Sequence, residues 1–150
     1  MPKIEKITKQ TENPYVNLYL VEGKNKVDHL FRYYVASRAK TMEALKIKTK
    51  KNTPDGVLMY SLYGEKRDKI VLVRQYRVSI DDYIYEFPAG LVESGEEFHE
   101  AAVREMHEET GLTFHPLKVD PCYEKPFFTT IGMTDEACSA VYGWCEYVSC

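Results

Sequence analysis

The second half of this 150-residue chain has almost no basic side chains, with three Lys or Arg among residues 81–150 against 15 Asp or Glu. The first 80 residues are the reverse, 17 basic against 8 acidic, so the net charge of −3 conceals two opposite halves. No apolar run approaches the roughly 18 residues of a membrane span. The start, Met1-Pro2-Lys3-Ile4-Glu5-Lys6, lacks the apolar core of an export signal. A cytoplasmic chain without membrane contact is expected. With 8 Gly and 7 Pro the composition is not that of a collagen-like or disordered chain. Cys122, Cys138, Cys145 and Cys150 include no Cys-x-x-Cys pair, which argues against a zinc ribbon or a redox dithiol. The basic residues are scattered and the acidic half would repel a polyanion, so nucleic-acid binding is not expected either.

What is present reads as an α/β protein. Val16–Glu22 and His29–Val35 are rich in β-branched and aromatic residues around a Gly-Lys-Asn-Lys turn, which predicts an N-terminal antiparallel hairpin. The Lys-rich stretch 46–55 reads as a solvated connection ending in a Pro54-Asp55-Gly56 turn, and it divides the chain into an N-terminal β subdomain, 1–53, and a second domain, 54–150. Val57–Tyr63 and Lys69–Arg77 predict a second strand pair, with the apolar run Ile70–Val73 as a central strand. Tyr83–Phe87 is a further strand stopped by Pro88. Ser94-x-x-Glu97 has the form of a capping box, and Phe98, Ala101, Ala102 and Met106 share one helical face, which predicts a helix from about residue 95 to 109, closed by Gly111. Leu117–Tyr123 and Val141–Val148 read as later strands, around a loop at 129–136.

Eight carboxylates (Glu86, Glu93, Glu96, Glu97, Glu100, Glu105, Glu108 and Glu109) fall within 24 residues that hold one Arg or Lys, Arg104. Glu105, Glu108 and Glu109, at i, i+3 and i+4, share a helix face, where like charges repel. A divalent cation with oxygen ligands would relieve that repulsion, whereas a solvated acidic face would tolerate it. Spacing alone leaves both readings open. Arg104 can hold one carboxylate by a bidentate contact, and Glu96 can join only if the helix begins irregularly.

The full pattern decides. Gly90, five residues, Glu96, seven residues, then Arg104-Glu105-Met106-His107-Glu108-Glu109-Thr110-Gly111-Leu112 resembles the Nudix box at every defined position. The resemblance implies an α/β/α sandwich with a mixed β-sheet and hydrolysis of a nucleoside diphosphate linked to another moiety. It also implies Mg²⁺ as the cofactor, with Mn²⁺ as the alternative ion. By position, Glu105 and Glu109 correspond to the principal metal ligands, Glu108 to a further or water-bridged one, Glu96 to a supporting acid and Arg104 to the orienting base. Arg74-Gln75-Tyr76-Arg77 and Tyr85–Glu93 are similar to the flanks found in ADP-ribose and sugar-nucleotide pyrophosphatases. That similarity implies a metal contact from the Ala89 carbonyl, a phosphate contact from Arg77, and an N-terminal β-hairpin that exchanges across a homodimer. Tyr15, Tyr34 and Arg38 lie where its substrate contacts would arise. Thr134-Asp135-Glu136 resembles the loop that supplies the general base, which points to Glu136, with Asp135 second. His99 and His107 are weaker candidates. The expected reaction is ADP-ribose to AMP and ribose 5-phosphate. Another sugar nucleotide such as GDP-mannose, or a catalytically silent nucleotide-binding module, are the alternatives. Members of that subfamily continue through another strand and a closing helix, so the C-terminal part is expected to be truncated or shortened.

Overall fold

The computed structural model describes residues 2–147. The chain forms two compact units, Met1–Thr53 with Phe128–Ala137, and Pro54–Phe127 with Cys138–Cys150.

The first unit is a three-stranded antiparallel sheet in the order β1 (Lys3–Lys9), β2 (Asn17–Lys24), β3 (Leu30–Ser37). The central strand β2 buries Tyr19, Leu20 and Val21. The Tyr19 hydroxyl remains paired by donating to Ala39 O at 2.7 Å. The sequence predicted a two-stranded hairpin. The structure adds a third strand, β1, whose Lys3-Ile4-Glu5-Lys6 lacks the alternation of a half-buried strand; it is an exposed, charge-bearing edge held by its backbone ladder. The stretch read as a solvated connection contains one helical turn, α1 (Lys46–Thr49), behind the buried Leu45.

The second unit contains β4 (Gly56–Tyr63), β5 (Lys69–Ile70), β6 (Val73–Arg77), β7 (Asp82–Glu86), β8 (Ala89–Leu91), α2 (Phe98–Thr110), β9 (Leu112–Pro116) and the long β11 (Ala137–Tyr147), preceded by the two-residue β10 (Phe127–Phe128). β4 and β11 run parallel at the sheet centre, in register from Cys138 opposite Gly56 to Cys145 opposite Tyr63. β8 and β5 join β4 antiparallel and β9 joins β11 antiparallel, which makes the sheet mixed. Ala101, Ala102 and Met106 of α2 pack on Val57, Met59, Val141, Phe114 and Leu112. Burial of such side chains contributes about 1.5–3 kcal/mol each for the larger ones, and this seam holds the helix to the sheet.

Four local expectations change. The apolar run Ile70–Val73 is not a central strand. Of its four residues Val71 packs against the core, Ile70 and Leu72 are about half exposed, and β6 departs to pair with β7 in a separate hairpin. Helix α2 begins at Phe98, capped by Glu97, whose side chain accepts from His99 N at 2.8 Å. Gly95 at φ 85° turns the chain just before it, so Ser94 does not act as the cap. Its C-terminus is as expected, with Gly111 at φ 70° donating to His107 O. The strand after the helix lies at Leu112–Pro116, where alternation sends Leu112 and Phe114 inward. Residues 117–123 instead lead into a 3-10 turn, Pro121–Tyr123, capped by Asp120. The last strand starts earlier, at Ala137, and Val148 and Cys150 lie outside the described residues. Among the described residues of this unit α2 is the one α-helix, so the second helical layer of the expected sandwich is not among them. No helix among the described residues is long and apolar enough to cross a membrane.

Candidate active site

The sequence-predicted residues fall into two groups. In the second unit, β8 delivers Ala89 and Gly90 beside α2, which carries Arg104, Glu105, Glu108 and Glu109. Arg104 is the hub. Its Nε and Nη2 donate to Glu96 Oε1 and Oε2, both at 2.9 Å; Nη1 donates to Glu105 Oε1 at 2.8 Å and to Glu108 Oε2 at 3.4 Å; Nη2 also donates to Leu91 O at 3.0 Å. Glu96 reaches this hub because it sits in the turn before the cap, fixed by its own N–H to Glu93 O and by its carboxylate on Glu93 N. The irregular helix start required of Glu96 is therefore present. Hydrogen bonds from Arg104 and Glu93 N hold the Glu96 carboxyl down at about 2.

Gly90 lies against Glu105 so closely that a Cβ at this position would collide with the Glu105 carboxylate carbon. That close approach, and no turn geometry, is what the box glycine provides. Glu109 Oε2 accepts from Ala89 N at 3.2 Å. Burial, followed by the nearby Glu105 and Glu86, pushes the Glu109 carboxyl up, while the Ala89 N–H and Arg77 act in the opposite direction. Arg77, at the end of β6, meets Glu86 at the end of β7, Nη2 to Oε1 at 2.7 Å and Nε to Oε2 at 3.3 Å. Glu86, counted among the eight clustered carboxylates but given no role of its own from the sequence, is the residue that the structure adds. It shares a hairpin face with Arg77 through the register of the folded strands, in which β6 and β7 pair Arg77 with Asp82 and Val73 with Glu86.

The second group lies in the first unit. Arg38 Nε donates to Glu136 Oε1 at 2.7 Å. Both residues line a cleft of about 300 Å³ together with Val16, Ser37 and Met133. Tyr15 and Tyr34 are exposed and do not line it. Asp135 accepts from Lys46 N and is thereby turned to the backbone. His99 bridges Glu97 and Glu124, and its Nε2 lies 2.7 Å from Glu124 Oε1.

Among the described residues no three His, Cys, Asp or Glu side chains gather into a ready-made metal cage. Two box carboxylates, Glu96 and Glu105, are turned to Arg104. The donor chemistry nevertheless fits a hard divalent cation: Glu105, Glu108 and Glu109 are carboxylate oxygen donors on one face of α2, and Glu109 is raised first by burial and then by the charges of Glu105 and Glu86.

The mixed sheet of this unit carries one helix, whose carboxylates are ordered around an arginine and a glycine. Residues 52–146 match the family described as the NUDIX domain, and the chain belongs to that family. Members of the family generally use divalent metals. It is 35% identical over 80 residues to an ADP-ribose pyrophosphatase of Saccharomyces cerevisiae, covering 52% of this chain and 35% of the relative. It is 36% identical over 87 residues to an ADP-sugar pyrophosphatase of Mus musculus, covering 56% and 40%. It is 44% identical over 61 residues to an ADP-ribose pyrophosphatase of Bacillus subtilis, covering 40% and 33%. The matches thus span a third to two-fifths of these relatives' length. A crystal structure of an ADP compounds hydrolase superposes with a TM-score of 0.71 at 19% identity, covering 99% of this chain and 70% of the other, a likeness of fold.

Proposed function

We propose that this chain hydrolyses the diphosphate bond of a nucleoside diphosphate derivative, with ADP-ribose as substrate and AMP and ribose 5-phosphate as products. The observation that carries the reading is the folded box itself, in which Arg104 joins Glu96, Glu105 and Glu108 and Gly90 makes room for Glu105. The naming of three relatives as ADP-ribose or ADP-sugar pyrophosphatases supports the substrate class.

In this reading Glu105 and Glu109, with Glu108 and the Ala89 carbonyl, would hold Mg²⁺ or Mn²⁺. A bound divalent ion supplies neutralisation of phosphate charge and activation of water. Glu108 and Arg104 count with Glu136 as the catalytic set, and Glu96 supports the metal site. Glu96, ionised far below neutral pH, keeps Arg104 oriented, and Arg104 keeps Glu105 oriented. Arg77 offers a planar guanidinium to the diphosphate, a geometry suited to two oxygens at once. Tyr15, Tyr34 and Arg38 serve the nucleoside side, and Glu136 takes the proton of the attacking water. We also propose that the protein is a cytoplasmic homodimer that binds a small molecule, with an N-terminal β subdomain at 1–53 and a second domain at 54–150 whose residues 128–137 fold with the first unit.

The deciding experiment is product analysis with ADP-ribose and Mg²⁺, beside GDP-mannose as comparison. AMP formation that is abolished by a chelator and by Glu109→Gln is expected. An inactive wild type, or a Glu109→Gln variant at full rate, would sink the reading.

A further inference from the structure

Residues 128–137 belong to the first unit because β3 holds them. Ala36 N donates to Met133 O at 2.9 Å and Asp135 N donates back to Ala36 O at 3.4 Å, forming a parallel bridge between Ala36 and Thr134. On one side of this bridge the Tyr33 hydroxyl donates to Gly132 O at 2.6 Å. On the other side Arg38 Nε donates to Glu136 Oε1 at 2.7 Å. Tyr33 and Ala36 of β3, and Arg38 one residue beyond it, therefore hold three successive parts of the loop.

Gly132 shows why the first tether is needed. A Cβ there would meet nothing within 4 Å, so the Cβ side of Gly132 faces open space, and glycine is the least restrained residue. The phenol hydrogen bond pins its carbonyl. The Arg38–Glu136 pair is 39% and 28% exposed, a setting in which an ion pair contributes about 0–1 kcal/mol. Its consequence is thus where the carboxylate stands rather than how stable the sheet is. It also makes the two oxygens unequal. Oε1 is engaged by Arg38, whereas Oε2 has a long contact of 3.4 Å from Thr129 Oγ1. Oε2 is the oxygen left to accept a proton.

We propose that Tyr33 and Arg38 are positioning residues for Glu136, so that the N-terminal sheet sets the location of the base and selects Oε2 as its proton-accepting atom. The inference rests on the reading of Glu136 as general base. A base must stand within hydrogen-bond reach of the proton it takes, and an ångström of misplacement costs about a hundredfold in rate, so loosening one tether has a measurable effect.

The test combines steady-state hydrolysis of ADP-ribose with amide hydrogen exchange on protein free of substrate and metal. Tyr33→Phe is expected to lower kcat about tenfold with KM within about twofold. The same variant should speed exchange across residues 129–136 and leave α2 unchanged. Arg38→Lys should recover part of the kcat that Arg38→Ala loses, the nucleoside contact of Arg38 being read in KM. In a Glu136→Gln background Tyr33→Phe should have no further effect on rate. An equal rate loss from Tyr33→Phe in that background, or unchanged loop exchange, overturns the positioning role. Full activity of Glu136→Gln overturns the base assignment, a separate result because exchange is read without turnover.

Discussion

Arg104 meets Glu96 through two parallel hydrogen bonds, Nε to Oε1 and Nη2 to Oε2, both 2.9 Å, although Glu96 lies outside the helix, one residue before its cap. The fork also continues to Glu105 through Nη1. A lysine would keep the charge and lose the planar fork that serves both partners. Arg104→Lys is therefore expected to lower activity about 10–100-fold while the protein stays folded. Steady-state assays beside circular dichroism check this. The pair also carries an acid limb. Glu96 is held at about 2 against an ordinary 4.5, so its stabilising contribution is complete above about pH 4.5 and is lost as pH falls toward 2. Glu96→Gln should flatten the acid unfolding curve in that window.

Gly90 separates function from stability more sharply. A methyl group at this position meets the Cγ, Cδ and Oε2 atoms of Glu105, the movable end of a side chain and not backbone. Gly90→Ala should therefore displace the Glu105 carboxylate with little effect on the core. The expected result is a divalent-ion affinity lowered at least about tenfold with a nearly unchanged melting temperature. Calorimetric titration with Mn²⁺ and a thermal melt measure the two quantities.

These residues also show how far the sequence could be read. The helix face, its Gly111 stop and the box spacing were legible because helical period and backbone handedness are local properties of the chain. The helix start was not, since Ser94 and Glu97 both had capping chemistry and the positive φ of Gly95 chose between them. The Ile70–Val73 run failed for a different reason. Apolar character marks burial but not which neighbour provides it, and the strand breaks between Ile70 and Val73. Arg104 and its carboxylates could be anticipated from pattern. The pairing of Arg77 with Glu86, and of Arg38 with Glu136, depends on strand register and loop docking, which no local spacing encodes.

His99 gives a pH-dependent contribution of the opposite sign to Glu96. Burial alone would lower its pKa, but hydrogen bonds to Glu124 and Glu97, together with their charges, outweigh burial and raise it above the ordinary 6.5. A raised folded-state pKa means that the contribution is fully present below about pH 6.5 and is lost as pH rises through the higher folded value. Replacing His99 with Gln, which retains polarity without titrating, should remove this loss. Unfolding midpoints in urea from pH 5 to 9 should fall across the upper part of that range for the wild type more than for His99→Gln. Equal slopes would show that the bridge from the first turn of α2 to Glu124 carries no proton-linked stability.

Arg77 provides the test of substrate recognition. Its side chain is 45% exposed and leans on Glu86, which orients the guanidinium without burying it. If that exposed fork takes the diphosphate, it binds ground state and transition state alike, and its loss should raise KM while sparing kcat. A charged hydrogen bond contributes about 1.5–3 kcal/mol, so Arg77→Lys should raise KM for ADP-ribose by about tenfold or somewhat more. Glu86→Gln should give a smaller rise, because the guanidinium remains and only its orientation is relaxed. The order Arg77→Lys above Glu86→Gln above wild type in KM is the expected outcome of steady-state assays at saturating Mg²⁺. A fall in kcat with unchanged KM would instead place Arg77 among the groups that act on the transition state alone.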